Sequence, residues 1–62
     1  MEFKFEVVYQ MDDGTVRRES VEAPSIEVAK ERGRTKAKKY KATGYYVVIE
    51  PEVLDEMRRS GV

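Results

Sequence analysis

The chain contains no cysteine, no histidine, no tryptophan and no asparagine, and glutamine occurs once. Without Cys or His there is no disulfide framework, no Cys/His zinc finger, no imidazole base and no thiolate nucleophile. Neither sign of charge is in excess. Twelve Lys and Arg balance twelve Asp and Glu, so the overall field draws the chain neither to nucleic acid nor to an anionic membrane. Long hydrophobic runs are also missing. The longest, Tyr45-Tyr46-Val47-Val48-Ile49, falls far short of the roughly 20 residues that a membrane helix needs. The start, Met1-Glu2-Phe3-Lys4, has neither the basic nor the apolar region of a signal peptide. These features predict a cytoplasmic protein with no membrane partner.

What the chain does have is charge, at 39% of its residues. A charge-rich, amide-poor composition is common in thermophile proteins and in ordinary small prokaryotic ones. Its 62 residues hold one small domain, 1–62, and a chain this short buries only about 60% of its unfolded surface.

Phe3, Phe5, Val7 and Tyr9 alternate with Glu2, Lys4, Glu6, Val8 and Gln10, the period-two pattern of a strand with one buried face. Asp12-Asp13-Gly14 then marks a turn, and a second strand runs from about Thr15 to Ala23. Burial decides the register. A two-residue loop would set Phe5 opposite Glu22 and Val7 opposite Ser20, placing polar groups on the aromatic face. A three-residue loop with Gly14 in the left-handed conformation sets Phe5 opposite Val21, Phe3 opposite Ala23 and Lys4 opposite Glu22, which satisfies both faces.

Pro24-Ser25 opens a helix, with Ser25 as N-cap and Glu27 in the first turn. At about 100° per residue, Ile26, Ala29, Gly33, Ala37 and Tyr40 form one narrow stripe of mostly small residues. Gly33 in that stripe predicts a close approach of the helix to the sheet over Phe3 and Phe5. Gly44 is placed at the position that ends the helix. Tyr45 to Glu50 reads as the third strand, stopped by Pro51. Residues 51–62 read as a C-terminal appendage with a short helical turn through Val53, Leu54 and Met57. The fold class is therefore α+β, β-β-α-β(-α): a three-stranded antiparallel sheet in order 2-1-3, with one helix packed on one face.

Between Lys30 and Lys41 lie seven basic residues and one acidic residue, the kind of cluster that contacts phosphates. The helical wheel divides it. Lys30, Arg34 and Lys41 flank the apolar stripe on one side and Arg32, Lys36 and Lys39 on the other, with Lys38 farther out beside Glu31 and Thr35. Split flanks suit cations that lay their methylenes over the sheet margins and meet carboxylates such as Glu6, Glu19 and Glu22. Asp12-Asp13 and Glu50-Glu52-Asp55-Glu56 lack calcium-loop spacing, so no metal is expected. Ser20, Ser25 and Ser60 have no candidate base beyond Lys, and no Gly-rich phosphate cradle occurs, so neither cofactor nor enzyme activity is expected.

The two sheet edges differ. Arg17, Arg18 and Glu19 protect strand two from adventitious pairing, whereas strand three is flat and uncharged. The expected function is that of a non-catalytic protein-interaction module, self-associating as a homodimer through strand three or binding another protein there. Tyr46, Val48, Val8, Leu54 and Met57 form its expected interaction surface. Either the C-terminal segment or another chain is expected beside that strand. The alternative is a small nucleic-acid-binding protein that contacts phosphates through Lys30, Arg34, Lys38 and Lys41.

Overall fold

Alternation is what builds the first strand. In the computed structural model, which describes residues 2–61, Phe3, Phe5, Val7 and Tyr9 are buried on one face of β1 (Phe3–Gln10). Strand β2 (Val16–Ala23) pairs antiparallel with it in the register that burial requires, with Phe5 opposite Val21, Phe3 opposite Ala23 and Lys4 opposite Glu22. The connecting turn is the three-residue one. Gly14 has φ +89° and donates its N–H to the Met11 carbonyl at 3.1 Å, while Met11 N–H reaches the Thr15 carbonyl at 2.9 Å. Asp13 fixes the turn from the side chain, accepting from Thr15 N–H at 2.9 Å and from the Thr15 hydroxyl at 2.6 Å. Those two bonds hold the Asp13 carboxyl below its ordinary range.

Helix α1 (Ile26–Lys39) begins at Ser25, whose hydroxyl accepts the Val28 N–H at 3.4 Å. Ala29, Gly33 and Ala37 are its buried residues, so the small stripe does face the sheet, although Gly33 meets Val7 and Tyr45 instead of the expected Phe3 and Phe5. The left-handed residue that closes the helix lies three positions before the expected Gly44. Lys41 takes the left-handed conformation at φ 58°, with Ala42 N–H bonded to the Ala37 carbonyl at 2.9 Å and Lys41 N–H to the Lys38 carbonyl at 3.2 Å. This pair of bonds is the Schellman ending, here closed by lysine. Gly44 is instead the first residue of β3 (Gly44–Val48), where a Cβ would meet the Gln10 Oε1 at 3.0 Å.

Strand β3 pairs antiparallel with β1, with Val8 opposite Tyr46 and Val7 opposite Val47, giving the sheet order β2-β1-β3. It stops at Val48, before the expected Glu50. A second helix, α2 (Pro51–Arg59), follows, with Pro51 in its first turn and Gly61 at φ 74° beyond its end. Met57 joins Phe3, Phe5, Ala23 and Ala29 in one buried cluster, and Val53 packs against it. Two helices, not one, therefore cover the inner face of the sheet. The C-terminal segment packs against β1 and closes the Phe3 end of the core; it does not lie alongside β3. The other end is closed by Val7, Tyr9, Val21 and Ala37, with Tyr40 and Tyr45 packed against them. No helix among the described residues is long and apolar enough to cross a membrane.

Candidate functional site

Hydrogen-bond alternation decides what each sheet edge offers. Residues of an antiparallel strand direct N–H and C=O alternately to one side and the other. Met11 bonds across to Thr15 and Gln10 accepts from Thr43 N–H at 2.8 Å, so odd-numbered residues of β1 face β2 and even-numbered ones face β3. Gln10, Val8 and Glu6 pair with Gly44, Tyr46 and Val48, which therefore bond inward to β1 and leave the backbone of Tyr45 and Val47 aimed outward. On β2 the outward groups belong to Val16, Arg18, Ser20 and Glu22. Arg32 occupies one of them, donating its guanidinium to the Glu22 carbonyl.

The edges differ equally in charge. All ion pairs among the described residues fall on the β1–β2 side of the molecule. They are Arg17–Glu19 at 3.2 Å, Arg18–Glu6 at 3.3 Å, Lys36–Glu19 at 3.4 Å and Arg32–Glu2 at 4.0 Å. Glu19 is the hub, since it also accepts the Tyr40 hydroxyl at 2.8 Å while Arg17 lies 4.1 Å above the Tyr40 ring. The Tyr40 bond, with Lys36 and Arg17 nearby, holds the Glu19 carboxyl below its ordinary value and in turn raises Tyr40. Of the expected carboxylate partners for the helix flank, Glu19 takes Lys36; Glu6 takes Arg18 of β2, and Glu22 offers Arg32 its carbonyl.

Glu27, Lys30, Glu31, Arg34, Lys38, Lys41 and Glu50, by contrast, are exposed and form no ion pair among the described residues. Two grooves show the contrast. One of 400 Å³ between β2 and α1 is lined by Ser20, Glu22, Arg32, Thr35 and Lys36, and its cations are already engaged. The other, of 380 Å³, lies where α1 meets the start of β3 and is lined by Arg34, Lys38, Thr43, Gly44 and Tyr45. Lys38 thus belongs to the Arg34 flank and Thr35 to the Arg32 flank, a correction to the wheel, which set them together. Of the expected nucleic-acid contacts, Arg34 and Lys38 share this groove, with Lys30 one turn toward the N-terminus from Arg34 and Lys41 in the helix ending.

The outer face of the sheet carries no helix. Tyr46 is 48% exposed there and Val48 37%. Val8 shares that face but is only 1% exposed, sitting between its cross-strand neighbours Arg18 and Tyr46. It supports Tyr46 and cannot itself meet a partner. Met57 is likewise withdrawn from the expected surface, because it is buried against Phe3 and Phe5. Leu54 is 38% exposed on α2. What the structure brings together is therefore Tyr46, Val48 and the free backbone of Tyr45 and Val47. The sequence reading passed over the acidic half of this side, Glu27, Glu31 and Glu50. The signal was present: Glu27, Glu31, Arg34 and Lys38 fall at i, i+4, i+7 and i+11, one helical row.

No family model, curated protein or solved structure matches this chain.

Proposed function

We propose that this protein is a small, non-catalytic interaction module that self-associates through β3. The observation that supports the reading is the free edge of that strand. It is uncharged from Gly44 to Val48, it presents the Tyr45 and Val47 backbone outward, and α1 packs over its inner face without a hydrogen bond to that edge among the described residues. Unpaired, apolar edges invite another strand.

Charge selects a second copy as that strand. Lys41 precedes β3 and Glu50 follows it, so an antiparallel partner related by a two-fold axis sets the basic end of each strand against the acidic end of the other. A parallel pairing would set like against like. With the axis at Tyr46, Tyr45 of one copy and Val47 of the other exchange both backbone bonds, and the two Tyr46 rings meet on the outer face. Val48 then lies opposite Gly44, whose lack of a side chain leaves room for it. The result is a continuous six-stranded sheet with an isologous interface.

Sedimentation of the full chain at micromolar concentration tests this, expecting a dimer. Val47→Pro removes an outward N–H that no intramolecular bond uses, and Val48→Lys charges the patch. Together they should shift the dimer to a folded monomer. A wild-type chain that stays monomeric throughout, or a double variant that still dimerises, overturns the reading.

A further inference from the structure

We infer that the β3-facing flank of α1 is a charge-coded self-recognition surface, in which Glu27 and Glu31 of one copy pair with Arg34 and Lys38 of the other. The inference rests on the β3 dimer proposed above and assigns it a specificity determinant outside the strand.

Three observations place these groups. First, Gly33 lies over Val7 and Tyr45 at once, its Cβ position being 3.1 Å from Val7 Cγ1 and 3.4 Å from Tyr45 Cδ2. The helix crosses the central strand and reaches β3 on one side and β2 on the other, where Lys36 and Tyr40 meet Glu19. With strands about 4.8 Å apart, pairing β3 with a second β3 brings the two α1 axes to about 14 Å, a gap across which long Glu, Arg and Lys side chains of the facing flanks can meet. Second, the direction of α1 is fixed. Its C-terminal half lines the groove at Gly44 and Tyr45, and its N-terminal Ile26 packs on the cluster that Val47 and Ile49 also join. Arg34 and Lys38 thus stand beside the start of β3, and Glu27 and Glu31 beside its end. Third, none of the four makes an ion pair among the described residues, while Arg32 and Lys36 on the opposite flank are both engaged.

A two-fold axis through Tyr46 inverts this order between copies. The basic half of each α1 faces the acidic half of the other, and the groove containing Arg34 and Lys38 receives the carboxylates of Glu27 and Glu31. Lys30 lies within the acidic half, one turn from Glu27 on its own helix, and is the single cation there. The same polarity governs Lys41 and Glu50 at the strand ends. Strand and helix therefore specify one orientation through independent groups. Rim charges of this kind set orientation and partner choice more than raw affinity.

Charge reversal in matched pairs tests the inference. Glu27→Lys with Glu31→Lys, and separately Arg34→Glu with Lys38→Glu, alter exposed positions only, and circular dichroism verifies that each variant folds. Each should weaken its own homodimer by about tenfold or more at low salt, because like charges then face each other. An equimolar mixture of the two variants should recover tight association, with the heterodimer mass dominant in native mass spectrometry. Homodimers of wild-type strength in both variants, or a mixture that recovers nothing, overturn the inference while leaving the β3 dimer standing. A wild-type monomer removes the dimer itself. Retention of the wild type on a fluorescent single-stranded oligonucleotide that Arg34→Glu/Lys38→Glu abolishes, with its dimer unchanged, assigns the flank to phosphate and also overturns the inference.

Discussion

A Cβ at position 33 would stand 3.1 Å from Cγ1 of Val7, so α1 reaches β1 only because its buried stripe has a glycine at the crossing point. Val7 is fully buried and β-branched, and has little freedom to move aside. Gly33→Leu should therefore lose about 1–3 kcal/mol through overpacking, even though leucine is the better helix former. Gly33→Ala sets about 1 kcal/mol of helix propensity against that contact and should fall within about 1 kcal/mol of the parent. Thermal unfolding distinguishes these results. A Leu variant that melts above the parent shows that the close approach is wrong.

Two positions hold the left-handed conformation with opposite suitability. Gly14 at φ +89° suits it, whereas Lys41 at φ 58° carries a Cβ that crowds the following carbonyl. Lys41→Gly should raise stability by about 1 kcal/mol, roughly 4–8 °C in a domain of this size, and Gly14→Val should lower it by at least as much. If Lys41→Gly melts lower than the parent, some interaction of the lysine outweighs its backbone strain.

The elements read most securely from the sequence were those in which a wrong choice carries a large burial penalty. The hairpin register is one, because a slip would have put Glu22 opposite Phe5; the Ala29-Gly33-Ala37 stripe is another. What escaped depended on geometry that residue type does not report. Nothing in Lys41 announces a helix ending, and Gly44 drew that assignment because glycine is the usual residue there. Val8 was placed on the correct face, yet the long side chains of Arg18 and Tyr46 beside it decide its burial. Val53, Leu54 and Met57 all read as apolar. Which of them turns inward depends on the direction α2 takes after Pro51, and that is a tertiary property. The free edge of β3 was legible in its lack of charge, whereas the acidic row that complements Arg34 and Lys38 was obscured by the count of basic residues around it.

Tyr9 presents a separate case. Its ring packs edge-on against Tyr40 with centroids 5.3 Å apart and an interplanar angle of 86°. Its hydroxyl is buried with no hydrogen-bond partner among the described residues. Burial, with the Glu19 charge nearby, raises its ionisation above the ordinary 10.0. A buried hydroxyl without a partner costs about 1–3 kcal/mol in desolvation, while the ring accounts for the packing. Tyr9→Phe keeps the ring and removes the cost, so denaturant unfolding should show a gain of about 1 kcal/mol. A loss of comparable size would mean that the hydroxyl is satisfied in solution.

Glu19 should contribute to the acid limb of the stability profile, and the sign follows from its partners. The Tyr40 hydroxyl at 2.8 Å is the chief cause of its lowered pKa, with Lys36 and Arg17 adding to it and partial burial opposing. The unfolded chain takes up this proton near the ordinary 4.5, and the folded chain only at lower pH. The Glu19 contribution is thus complete above about pH 4.5 and is lost as pH falls through the depressed folded value. The same bond acts in the other direction on Tyr40. It raises that pKa above 10.0, so the Tyr40 contribution is complete below pH 10 and is lost as pH rises through the folded value. Subtracting the Glu19→Gln profile from the wild-type profile should give a difference that is flat at neutral pH and shrinks below pH 4.5. Tyr40→Phe should reduce both limbs, because it removes the largest cause of one shift and the titrating group of the other. A wild-type minus Glu19→Gln difference that stays constant down to pH 2.5 would show that the carboxylate gains nothing from Tyr40, and the hub would then be a surface arrangement without energetic weight.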